Sequence, residues 1–141
     1  MSQSDRVSVP FRLEDYALDL ASSTQTDGVL RLEGDDLILE FRLTTTSMRT
    51  LKSESGDVRE ARIPLADIES MEVSRRWPWG AKLRIRTRTL LAMQNVFGAK
   101  GNQFVVPVRR ADYDRARVLC VNVALELSGR ELRRLEADTD G

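Results

Sequence analysis

The chain has 141 residues, 31% charged and 41% hydrophobic, which suits one domain with one core and is too short for two. No run approaches the ~20 apolar residues of a membrane-spanning helix. A single cysteine, Cys120, rules out an internal disulfide, and the absence of histidine removes the commonest general base and metal ligand. Twenty-two cations balance twenty-two anions, so the net charge says nothing about partners, but the distribution does. From Val73 to Ala111 there is no acid, and nine cations lie there. Residues 1–72, 73–111 and 112–141 carry −7, +9 and −2, which predicts a basic and an acidic face on a neutral molecule. The first residues lack the basic-then-apolar pattern of a secretory leader, and with a lone cysteine a cytoplasmic location is expected.

Residues 1–27 read as an N-terminal extension packing on or near the body of the domain, with a patterned piece at Val7–Leu13 and a helical turn or two at Glu14–Ala21. From Gly28 the period-2 alternation of strands begins. Leu30 and Leu32 lead into the turn Glu33-Gly34-Asp35-Asp36. Leu37, Leu39, Phe41 and Leu43 then face one way, and Ile38, Glu40 and Arg42 the other, giving a hairpin with one wet face. Thr44–Asp57 reads as a loop or frayed strand ends. Val58–Leu65, Asp67–Ser74, Ala81–Thr89 and Gln103–Val108 read as strands, with Pro64 marking an edge or bulge. Leu90–Asn102 is apolar for a connection, and another strand within it is the preferred reading. Beyond Val108 the period becomes 3.6: Ala116, Leu119, Cys120, Val123 and Leu127 form one face of a helix. Ser128-Gly129 stops or kinks it, and residues 128–141 continue as a helix extension and polar tail.

The expected fold is mainly β, a barrel or sandwich of about seven antiparallel strands capped by a C-terminal helix. The hairpin GVLRLEGDDLILEFR, the segment VREARIPLADIESMEV, the turn WPWG into KLRIRTR, and the helix after FVVPVRRADYDRAR resemble the pleckstrin-homology-like (PH-like) superfold, and more closely bacterial members of it. The resemblance covers residues 28–127. It implies a binding module, and in lipid-binding members cations around the first hairpin cradle phosphates. Here that turn is Glu33-Gly34-Asp35-Asp36, whose carboxylates repel phosphate, so a phosphoinositide site of that kind is not expected. Bacterial members also resemble oligomer-forming modules joined edge to edge.

Alternation along Lys82-Leu83-Arg84-Ile85-Arg86-Thr87-Arg88 sets Lys82, Arg84, Arg86 and Arg88 on one face, a stripe ~20 Å long. It is either a solvated strand face or a surface for an acidic protein, a lipid head group or a nucleic-acid backbone. Trp77 and Trp79, beside Arg75 and Arg76, either anchor a partner at a hairpin tip or fold back over the barrel mouth. Val118, Val121 and Leu125 lie off the core stripe of the helix and are candidate partner contacts, covered by the N-terminal residues or by another subunit. Cys120 lies on the core stripe and reads as an inert thiol. No nucleophile–base pair or paired-acid cleft is visible, and Gly98-Ala99-Lys100-Gly101 lacks the ending of a phosphate loop. The expectation is therefore a non-catalytic module with no metal or cofactor. It binds a protein partner or itself, with anionic lipid or nucleic acid as the alternative.

Overall fold

The computed structural model of the chain describes residues 7–16, 22–47, 49–76, 80–96 and 98–140. Among them eight strands form two antiparallel sheets, followed by one long helix. In the first sheet β1 (Ser8–Tyr16) pairs with β2 (Ser22–Glu33), and β2 with β3 (Asp36–Ser47). The outer side of β3 is shared by β4 (Ser53–Ser55) at one end and β5 (Arg59–Pro64) at the other. The second sheet is β6 (Ile68–Arg76), β7 (Gly80–Thr87) and β8 (Gln103–Val108), with β7 in the middle. The helix α1 (Tyr113–Asp140) lies chiefly against β6, the open edge of that sheet, and reaches β1 and β2.

Each strand forms where apolar and polar residues alternate, and the apolar set faces inward. Leu30 and Leu32, Leu37 and Leu39, Leu83 and Ile85, and Phe104 and Val106 are all buried, and Ala116, Leu119 and Val123 of α1 close over them. The turn between β2 and β3 has two central residues, and Gly34 supplies the positive φ (60°) that such a tight hairpin requires. At the centre of the first sheet Gly28 stands between Phe11 and Phe41 in the register. The Phe11 ring occupies the space a side chain at Gly28 would fill, and a Cβ there would also lie 2.7 Å from the Glu40 carbonyl oxygen. The same ring meets Phe104 of β8 edge-on, centroids 5.8 Å apart at 83°. One aromatic therefore links the two sheets.

Four expectations need correction. Residues 1–27 are not an appended segment throughout: Val9 and Phe11 of β1 are core, and the boundary expected at Gly28 falls inside β2. Glu14–Tyr16 are strand rather than helical turn, because their backbone pairs in register with Ser23–Gln25 of β2, while residues 17–21 lie outside the described residues. Among the described residues Leu90–Asn102 holds no further strand beyond an isolated bridge at Lys100–Gln103. It folds through a short 3-10 turn at Leu91–Met93 whose amides bond three residues back, which buries Met93 and Val96 and leaves Leu90 and Leu91 exposed. Finally, Ile38 faces outward yet is fully buried, because it sits in register between Arg31 of β2 and Arg62 of β5. Long arginine stems cover apolar surface while their heads stay wet.

Ser128-Gly129 does not end the helix. One glycine costs only ~1 kcal/mol in a helix interior, and the good helix formers that follow carry α1 to Asp140. The Arg133 guanidinium donates to the Gly129 carbonyl, and Arg130 pairs with Asp35 in the β2–β3 turn, so this stretch is fastened to the first hairpin.

Gly28→Ala is expected to destabilise the fold by about 1–3 kcal/mol, because the Glu40 backbone cannot withdraw and Phe11 must leave its place against Phe104. Urea unfolding of the variant beside the parent chain measures this, and an unchanged midpoint would refute the packing described.

Candidate functional site

Because β7 is flanked on both sides, its alternation is fully expressed. Ala81, Leu83, Ile85 and Thr87 are buried, while Lys82 and Arg84 are exposed and Arg86 is half-buried on the outer face. Their cross-strand neighbours are Ser74, Glu72 and Ser70 on β6 and Pro107, Val105 and Gln103 on β8. Glu72 is the one carboxylate directly opposite a cation of β7, facing Arg84, and Glu69 lies in the β6 bulge beside Ser70, yet among the described residues no ion pair joins either to the stripe. Among the described residues none of Lys82, Arg84, Arg86 and Arg88 has a carboxylate within ion-pair distance. A shallow depression of about 130 Å³ lined by Glu72, Ser74, Lys82, Arg84 and Val105 lies on this face. The expected stripe of four is shortened to three. β7 ends at Thr87, whose hydroxyl donates to the Thr89 carbonyl, and Arg88 lies beyond the strand with its amide bonded to the Asp67 carbonyl.

The first sheet handles its cations differently. Arg12 is held by Asp27 at 2.8 Å, Arg31 by Glu40 at 2.6 Å and Glu33 at 3.2 Å, and Arg62 by Glu60 at 2.8 Å and Asp36 at 3.5 Å. The Gln25 amide donates to Asp27 at 2.7 Å and, with Arg12, holds that carboxyl below the usual carboxylate range. Among the described residues Arg42 and Arg59 of this sheet have no such partner. Three of its arginines are nonetheless neutralised in place, and the β7 cations are not.

Arg75 does not join the β7 stripe. It pairs in register with inward-facing Ala81, so its side chain leaves the sheet on the opposite side from Lys82. There its guanidinium lies over the Tyr113 ring, 5.5 Å from the centroid, at the start of α1. A cleft of about 270 Å³ opens at this point, with Arg110, Arg117 and Asp114 on its walls. Arg110 and Arg117 were not singled out by sequence, because nothing in spacing alone brings the β6–β7 hairpin to the helix start. The Arg76 side chain and all of Trp77, Pro78 and Trp79 lie outside the described residues, as does Phe97.

Val118, Val121 and Leu125 are exposed on α1, at 42%, 53% and 66%. Among the described residues no group of three or more His, Cys, Asp or Glu is placed to hold a metal, and no helix is long and apolar enough to cross a membrane. Cys120 is half-buried between α1 and the sheet, and burial, aided by the charge of Glu72, pushes its thiol up to about 11. The chain matches no family model, no curated protein and no solved structure.

Thiolate is the species that alkylates, so a raised pKa suppresses reaction until the pH approaches the folded value. Iodoacetamide is expected to label Cys120 in the folded chain far more slowly at pH 8 than in urea, and the gap should narrow as pH rises toward about 11. Equal rates at pH 8, followed by mass spectrometry, would contradict the burial.

Proposed function

We propose that the chain is a non-catalytic binding module of PH-like fold, and that the outer face of β7 takes an acidic surface of a protein partner. The fold part is supported by the element order, antiparallel strands in two sheets followed by a C-terminal helix lying on their open edge. The single observation carrying the binding part is the contrast in charge pairing. Arg12, Arg31 and Arg62 are satisfied within the first sheet, while Lys82, Arg84 and Arg86 stand side by side without a carboxylate partner. Three like charges on one strand repel one another, and an incoming acidic surface removes that repulsion while a neutral one does not. Serines, Gln103 and a proline around them keep the face low and polar, which suits a protein surface better than an inserted apolar group.

The probe is a fluorescent oligoglutamate peptide read by anisotropy at low salt. Binding is expected to weaken by about tenfold or more in Arg84→Glu with Arg86→Glu, and to fall as salt screens the charges. No binding at low salt, or binding indifferent to that double reversal, would overturn the reading. Vesicles rich in phosphatidylserine and a single-stranded RNA serve as rival ligands. Stripe-dependent preference for either would move the module to the lipid or nucleic-acid class.

A further inference from the structure

Besides the stripe that faces the sheets, α1 carries a second apolar line. Val118, Val121, Leu125, Leu132 and Leu135 are all substantially exposed. They are spaced 3, 4, 7 and 3 residues apart, and Ser128 divides the seven into 3 and 4. This is the a/d pattern of a helix that packs along another helix, and it drifts too little around the axis to be an ordinary solvated face. At 1.5 Å per residue the line is ~25 Å long. The core-facing stripe ends at Leu127, whereas this line continues past it into Glu131–Ala137, every residue of which is exposed.

The charges beside the line indicate which helix it fits. Arg115 and Arg117 flank its first part, and Glu131 and Glu136 its second. Laid parallel, two copies would set Glu131 of one against Glu136 of the other, a like-charge contact at the g and e positions. Laid antiparallel, Arg115 and Arg117 of each copy run beside Glu136 and Glu131 of the other. That orientation also places Val118 opposite Leu135, Val121 opposite Leu132, and Leu125 opposite Ser128, whose small side chain leaves room for the leucine. Gly129 beside it permits close approach of the backbones.

We infer that two copies of this chain pair through α1 as an antiparallel two-helix seam centred between Leu125 and Ser128. The inference gives the expected self-association a surface, and it is independent of the β7 reading, since Lys82, Arg84 and Arg86 lie on the outer face of the second sheet.

Sedimentation velocity at high micromolar concentration is expected to give twice the chain mass of 16.0 kDa. Leu125→Glu is expected to weaken association by roughly 100-fold. Leu132→Glu, at an exposed position, is expected to do the same while the helical signal in circular dichroism stays unchanged. Orientation is read by mild oxidation in a Cys120→Ser background. Chains carrying Val121→Cys and chains carrying Leu132→Cys should cross-link with each other and not with themselves. A parent chain that stays monomeric, a dimer indifferent to both glutamate variants, or self-cross-linking of Val121→Cys would each overturn the inference. So would a monomer whose Leu125 matters only for vesicle binding. Arg84→Glu with Arg86→Glu leaves the dimer intact, which separates failure here from failure of the β7 reading.

Discussion

The architecture depends on the placement of one ring. Phe11 lies over Gly28, where the strand has no side chain of its own, and meets Phe104 of the other sheet in a T-shaped contact. A glycine in the middle of a strand weakens that strand by itself. Here it creates the space through which β1 reaches β8, so the local loss is offset by contact between sheets that share no backbone hydrogen bonds along this side. The first strand is therefore part of the core, and the two sheets behave as one body against which α1 can lie.

That body divides its charge unevenly. On the first sheet the outward residues of β2, β3 and β5 interlock, with Arg31 and Arg62 bracketing the buried Ile38 and four carboxylates around them. Exposed pairs of this kind contribute little to stability individually. Their larger effect is to neutralise Arg31 and Arg62 in place, while Arg42 and Arg59 of the same sheet stay outside that network. The second sheet has Glu72 opposite Arg84 and Glu69 in the β6 bulge, and among the described residues neither forms an ion pair with its cations. Charge pairing is thus distributed unevenly over a molecule whose net charge is zero.

Sequence made the flanked strands most legible. β7 and β8 and the β2–β3 hairpin alternate cleanly because each has one buried and one wet face, and their inward residues are those the alternation selects. β1 is harder to see: Val9, Phe11 and Leu13 alternate, but opposite them on β2 stand Leu30, Gly28 and Thr26, of which only Leu30 belongs to an apolar pattern. Apolar Leu90–Val96 suggested a strand because composition cannot separate an extended segment from a turn that buries Met93 and Val96 singly. The candidate site was legible in its β7 half, which is set by alternation alone. It was not legible in the cleft of Arg75, Arg110, Tyr113 and Arg117, which exists only because α1 begins where the β6–β7 hairpin ends.

The division of β3's outer side between β4 and β5 has a consequence for how the protein keeps company in a crowded solution. A sheet that ended in one long straight strand would offer a continuous row of amides and carbonyls to any extended chain that drifted past. Here that margin is broken into a three-residue and a six-residue piece, separated by Gly56, Asp57 and Val58 and closed by Pro64, while the β6 margin of the second sheet lies beside α1. Along the outer side of β4 and β5 no run of open backbone exceeds six residues, so this margin is a poor template for an unfolded neighbour.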